Sequence, residues 1–118
     1  MAIQKSSTKT ALELDNFESL VDKRLNSIFQ KLIKNETTID ESISYALSNP
    51  GKRIRPTLVF LVGDFLGVEA SRLESVAGAI ELIHTYSLVH DDLPCMDDDD
   101  LRRGKPTLHK KFNESTAV

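Results

Sequence analysis

Apolar residues at Leu14, Phe17, Val21, Leu25, Ile28 and Leu32 recur every three or four positions, the period of a helix with one buried stripe. Asn35 and Thr37 interrupt that stripe. Thr38-Ile-Asp-Glu41 then has the form of a capping box, and Ile39, Ile43, Ala46 and Leu47 supply the inner face of a short second helix. Asn49-Pro50-Gly51 ends it by turn chemistry. Pro56 suits the first position of a third helix, and Thr57–Leu66 is apolar on nearly every side, with Gly67 as the stop. Ser71-Arg-Leu-Glu74 reads as another capping box. It opens a long helix through Ala77, Ile80 and Ile83 to Asp92, which Pro94 prevents from running straight on. No useful strand alternation and no internal repeat occur. The chain therefore reads as all-α: a mobile polar tail over residues 1–11, four helices by residue 92, and a polar loop or short helix beyond. A third helix without a polar face is expected to sit inside a larger body.

The chain has 118 residues, 40% of them hydrophobic and 28% charged, a composition typical of a globular domain. Its longest apolar run, Leu58-Val-Phe-Leu-Val62, falls far short of the roughly 20 residues of a membrane span. With one cysteine, Cys95, there is no internal disulfide and no thiolate metal cluster. Without a signal-peptide pattern, the expected location is the cytoplasm.

Charge changes this picture at one place. Six aspartates (Asp91, Asp92, Asp97, Asp98, Asp99 and Asp100) fall within ten residues. Arg102, Arg103, Lys105, Lys110 and Lys111 follow directly, with no acid among them. Crowded carboxylates call for a cation, and hard oxygen ligands suit Mg²⁺ or Mn²⁺. Asp91 and Asp97 would not share a face of a straight helix, so a break near Pro94 is needed to bring them together. Arginine forks match phosphate oxygens. His84 lies two turns before Asp91 on the same helix face. Lys52, Arg53 and Arg55 stand where the third helix begins, beside free N–H groups and a positive dipole end. Two basic anion sites beside an acidic metal site read as a magnesium-bridged diphosphate site. Nucleic acid is a poor alternative, because the acidic block adjoins the basic one and no aromatics are interleaved. An EF-hand is excluded by the absence of its glycine and its twelfth-position glutamate.

Three segments carry a family resemblance: Gly51-Lys-Arg-Ile-Arg-Pro56, His84 through Asp97, and Arg102-Arg-Gly-Lys-Pro-Thr107. In this order and spacing they resemble the motifs of the trans-type isoprenyl diphosphate synthases, most of all the bacterial farnesyl diphosphate synthases, or geranyltranstransferases. The four residues between the Asp pair and Asp97 also occur in plant-type geranylgeranyl synthases. The resemblance runs from about residue 14 to 112 and implies the N-terminal helices of an isoprenoid-synthase bundle, spanning residues 12–118. It implies that Asp91 and Asp97, supported by Asp92, bind Mg²⁺ bridging an allylic diphosphate, and that Arg102 touches that diphosphate. It implies further that Lys52, Arg55, His84 and Arg103 hold isopentenyl diphosphate. The expected reaction is Mg-dependent condensation of isopentenyl diphosphate with dimethylallyl and geranyl diphosphates, in a homodimer, to farnesyl diphosphate. The resemblance implies that a bulky residue at Tyr86 limits product length, while Ser87 is small and nearly in line with Asp91.

Departures from the family pattern are Pro50, where the family has Gly, and Asn113, where it has Gly. The family is usually more than twice as long, and its second aspartate-rich motif has no counterpart here. Two readings stand for the chain: the N-terminal part of such an enzyme, or a truncated protein that binds Mg²⁺ and diphosphate or acts as a partner subunit. A class I terpene cyclase would share the aspartates but leaves both basic motifs unexplained. His90 is expected to be structural, and His109, Lys110 and Lys111 to lie on the surface.

Overall fold

The structure is a computed structural model that describes residues 2–118, with side chains from Asn16 onward. The expected tail over residues 1–11, and Leu14 of the first stripe, lie outside the residues whose side chains are described. Four helices precede the acidic block: α1 (Ala2–Leu32), α2 (Thr38–Ser48), α3 (Ile54–Phe65) and α4 (Ala70–Asp91).

The stripe of α1 is realised with one shift. Val21, Leu25 and Phe29 are buried, and with Leu47 of α2, Phe60 of α3 and Ala77 of α4 they make the main core. Phe17 and Ile28 pack at its margin, whereas Leu32 is 63% exposed. Each step of four residues turns about 40° past a full circle. From Leu25 the contact line therefore runs to Phe29 and on to Ile33, leaving Leu32 outside.

Caps also differ from the sequence expectation. The capping box of α2 is Thr37 with Asp40, one residue earlier than Thr38 with Glu41. Asp40 Oδ2 accepts from the amides of Glu36 and Thr37 at 3.2 and 3.1 Å, and Thr37 Oγ1 accepts from the Asp40 amide at 3.2 Å. The Thr37 side chain, above all, holds the Asp40 carboxyl below its usual range. Pro56 occupies the third position of α3, still within the turn whose N–H groups lack helical partners. Gly67, at φ 72°, ends α3: its amide reaches the Asp64 carbonyl and that of Val68 reaches Gly63. Ser71 does not cap α4, which starts at Ala70 without a side-chain cap. Glu74 instead accepts from Arg24 of α1 at 2.5 Å, so an inter-helix ion pair takes the carboxylate that the box needed.

α3 and α4 make the most extensive helix contact of the fold. A Cβ at Gly63 would overlap the end of the Leu73 side chain there, which would have to shift. The outer side of α3 is bare: Leu58 and Val62 are each about half exposed, Phe65 is 88% exposed and Leu66 is 67% exposed.

Beyond α4 the expected loop is a turn followed by a two-stranded hairpin, β1 (Leu101–Arg102) with β2 (Lys105–Pro106). Arg103 and Gly104 at its tip have φ 50° and 77°, the left-handed pair of a type I′ turn. Strands of two residues leave no alternation to read. Two short helices follow, α5 (Leu108–Lys111) and α6 (Glu114–Ala117). Leu93, Leu108 and Ala117 form a second small core beneath the hairpin.

Candidate functional site

The segment between α2 and α3 turns sharply at Arg53, the N-cap of α3, whose φ is 54°. Lys52 and Arg55 stay exposed on either side of it. Together with His84 of α4 and Arg103 of the hairpin tip, they line a single cavity of about 220 Å³. All four residues assigned from the resemblance to isopentenyl diphosphate are thus brought together. Arg55 Nη1 lies 3.4 Å from His84 Nε2. Burial, reinforced by the charge of Arg55, pushes the His84 pKa below the ordinary imidazole value. In the tautomer protonated at Nδ1, Nε2 accepts from Arg55. Arg103 lies across Gly51, where a Cβ would come within 2.6 Å of its Nη2, and Arg103 Nη1 donates to the Asn49 carbonyl at 2.8 Å. Asn49 returns the bond, its Nδ2 donating to the Arg102 carbonyl at 3.0 Å. The last turn of α2 thereby fixes the hairpin over the cavity.

The acidic block folds back on the end of α4. The helix stops at Asp91, and the Asp97 amide donates to the Asp91 carbonyl at 2.8 Å. The amides of Asp98 and Asp99 reach the carbonyls of Leu93 and Asp92. The break before Pro94 thus brings Asp97 beside Asp91, as the spacing required. Asp91 is half-buried and Asp97 exposed. Asp92 turns inward, buried, and both its oxygens accept from Arg102, at 2.7 and 2.8 Å. That hydrogen-bonded carboxylate, chiefly, raises the pKa of Arg102. Aspartates gathered at the negative end of a 22-residue helix are mutually repulsive and repelled by its dipole, an arrangement suited to a cation.

Three features were not read from the sequence. Arg53, grouped there with the anion-binding residues, is 5% exposed and pairs with Glu81 and Asp22. An arginine in a basic loop gives no sign of turning inward, although Glu81, one turn before His84, was available as its partner. Asn49 acts as a clasp rather than only a turn residue. His109, expected on the surface, is 7% exposed, because α5 packs between α6 and α2.

Residues 36–118 match the polyprenyl synthetase family. The chain belongs to that family. It is 46% identical over 106 residues to the farnesyl diphosphate synthase of Haemophilus influenzae, covering 90% of this chain and 36% of that protein. It is 44% identical over 108 residues to geranylgeranyl pyrophosphate synthase 11, chloroplastic, of Arabidopsis thaliana, covering 87% of this chain and 30% of that one. Among solved structures, an FPP/GFPP synthase from Zymomonas mobilis superposes with a TM-score of 0.86 at 41% identity, over 92% of this chain and 40% of the other. The chain thus spans about a third of the length of the curated relatives it matches. The all-α bundle expected from the sequence is the fold of this family's solved members.

The residues of this polyprenyl synthetase chain fit a divalent metal of the shared kind. Among the described residues no three His, Cys, Asp or Glu side chains gather into a closed metal cage. Mg²⁺ with a diphosphate asks for one or two carboxylates, its remaining positions going to water and phosphate oxygens. Asp91 and Asp97, whose backbones are hydrogen-bonded to each other, are the two carboxylates placed to offer this, while both oxygens of Asp92 accept from Arg102. Tyr86, 56% exposed, stands edge-on to His90 with ring centres 5.4 Å apart. It lines an apolar groove of about 550 Å³ between α2 and α4, beside Ile43, Ile83 and Val89. Ser87 Oγ donates to the His84 carbonyl at 2.7 Å, so its hydroxyl is bound to its own helix. Among the described residues no helix is long and apolar enough to cross a membrane.

Proposed function

We propose that these residues form the diphosphate-holding part of a Mg-dependent prenyltransferase. It would condense isopentenyl diphosphate with dimethylallyl and geranyl diphosphates to farnesyl diphosphate. The observation that carries this reading is the convergence of Lys52, Arg55, His84 and Arg103 on one cavity, with the Asp91–Asp97 turn at the end of the same helix as His84. Lys52, Arg55 and Arg103 offer cationic donors to the diphosphate of isopentenyl diphosphate, and His84 gives a further N–H. Asp91 and Asp97 are the residues that would hold Mg²⁺, which when bound neutralises the leaving diphosphate of the allylic substrate. In the reaction the allylic C–O bond breaks, the isopentenyl double bond attacks the resulting cation, and a proton is lost from the product. Preorganised charge around the departing group supplies the stabilisation. Tyr86, in the groove below Asp91, is the residue we assign to limiting the product at C15. A cytoplasmic location and a homodimer belong to the same proposal.

The second reading, a non-catalytic subunit that binds Mg²⁺ and diphosphate, is favoured by the bare apolar side of α3. Titration calorimetry of inorganic diphosphate into the 118 residues, with and without MgCl₂, tests the shared part of both. Binding that strengthens with Mg²⁺ and is lost in Lys52→Ala is expected. Equal affinity in wild type, Lys52→Ala and Asp91→Ala would contradict the site.

A further inference from the structure

We propose that Arg53 is a positioning residue: its buried guanidinium holds the loop that presents Lys52 and Arg55, and it masks the charge of Glu81, which would otherwise repel an anion in the same cavity. The inference rests on reading that cavity as a diphosphate site. Arg53 adopts φ 54°, a left-handed conformation that a long side chain keeps only when its surroundings impose it. Those surroundings come from separate helices. Nη1 donates to Glu81 Oε1 of α4 at 2.9 Å, Nε to Asp22 Oδ1 of α1 at 3.2 Å, and Nη2 to the Leu47 carbonyl of α2 at 3.4 Å. Its Cζ lies 5.8 Å from the centre of the Phe29 ring. The side chains of Arg53 and Glu81 are 4% and 6% exposed, so the pair is shielded from water. With Arg53 drawn inward, its neighbours Lys52 and Arg55 are left to face His84 and Arg103. Glu81 is itself a wall of the cavity, and a bare carboxylate there would oppose diphosphate. The planar fork of arginine is required, because a lysine reaches one partner at a time.

The test uses the 118-residue chain with Arg53→Lys, Glu81→Gln and, as a direct-contact control, Lys52→Ala. Calorimetric titration with inorganic diphosphate and Mg²⁺ is paired with amide hydrogen exchange. Arg53→Lys is expected to weaken diphosphate about tenfold, the worth of one charge-assisted hydrogen bond, and Glu81→Gln, which removes the carboxylate that Arg53 masks, to weaken it less. Both should accelerate exchange at Thr57, whose amide donates to the Arg53 carbonyl at 3.0 Å, while leaving the later turns of α3 unchanged. Lys52→Ala should lose affinity with no change in exchange. A purely structural ion pair would instead speed exchange across α1, α3 and α4 together, and that pattern, or wild-type affinity and exchange in both variants, overturns the proposal. If the wild type binds no diphosphate, the diphosphate reading fails on its own. Faster exchange confined to Thr57 then still supports the positioning role of Arg53, and unchanged exchange there refutes it.

Discussion

Asp92 holds Arg102 with both carboxylate oxygens, Oδ2 at 2.7 Å from Nε and Oδ1 at 2.8 Å from Nη2. The acid is 2% exposed, while the arginine side chain is 31% exposed. The pair therefore has a buried end at α4 and a wet end at the hairpin. A residue expected to support the metal is instead the anchor that aims an arginine toward the acidic turn. Asp92→Asn removes the charge but keeps the shape. It should lower stability by roughly 1.5–3 kcal/mol, the range for a hydrogen-bonded charged partner lost from a buried site. Urea denaturation checks this, and a variant as stable as wild type would mean that the hairpin is held without the pair.

His84 gives a pH dependence whose sign is fixed by its surroundings. In the free protein its pKa lies below the usual 6.5, through burial and the neighbouring Arg55. A diphosphate in the cavity adds negative charge and raises it. Binding then takes up a proton, so affinity should rise as pH falls from the raised bound value toward the lowered free value, and level off below that. In His84→Gln this component should vanish, leaving only the titration of diphosphate itself. Titrations between pH 5 and 8 in buffers of different ionisation heat measure the proton uptake directly.

Gly63 and Gly67 make different demands. Gly63→Ala drives a methyl into Leu73 at the α3–α4 contact, where overpacking costs about 1–3 kcal/mol. Gly67→Ala meets no atom within 4 Å but must hold φ 72°. It should cost about 1 kcal/mol, from backbone conformation alone. Thermal melts of both variants separate crowding from backbone strain, and the larger drop is expected in Gly63→Ala.

The outer face of α3 sets the behaviour of these 118 residues alone. Leu58, Val62, Phe65 and Leu66 present apolar surface that the rest of the longer relatives has the length to cover. The isolated chain should bind a hydrophobic dye or self-associate, and should show no synthase activity. A monomeric, dye-silent and active 118-residue chain would refute this.

Much of the fold was legible because the helices are long and periodic. Val21, Leu25 and Leu47 fall where helical spacing puts a core, and Gly67 stops α3 as glycine chemistry requires. Short-range chemistry was less legible. Thr37 and Thr38 are adjacent and equally able to cap, and the choice went to the one whose third neighbour, Asp40, reaches back to its amide. The hairpin is too short for a period, though Arg103-Gly104 was a fair turn signal. Within the site, the sequence grouped basic residues that line one cavity but treated Arg53 as free for an anion like the others. Charge patterning gives the number of cations, not which one turns inward, and that depended on Glu81 and Asp22 arriving from two other helices. His109 was misplaced for a related reason: α5 is four residues long, too short to show a period, and its burial comes from packing on α6 and α2.

In the proposed reaction, product length is assigned to Tyr86. Its ring narrows the groove between α2 and α4, and His90 stands against it. When this chain is joined to the C-terminal portion of a longer relative such as the Haemophilus influenzae farnesyl diphosphate synthase, Tyr86→Ala should shift products from C15 toward C20 and longer. Retention of farnesyl diphosphate as the sole product at normal rate would remove Tyr86 from that role.

The same fusion protein gives the most direct measurement of the account: its initial rate with isopentenyl and dimethylallyl diphosphates in Mg²⁺, beside the Lys52→Ala and Asp91→Ala forms. The account predicts farnesyl diphosphate from the unmodified fusion, with kcat/KM for isopentenyl diphosphate lowered at least a hundredfold by Lys52→Ala, about 3 kcal/mol of lost transition-state binding. Turnover should fall by orders of magnitude in Asp91→Ala. A folded fusion in which both variants keep unmodified kinetics would contradict it.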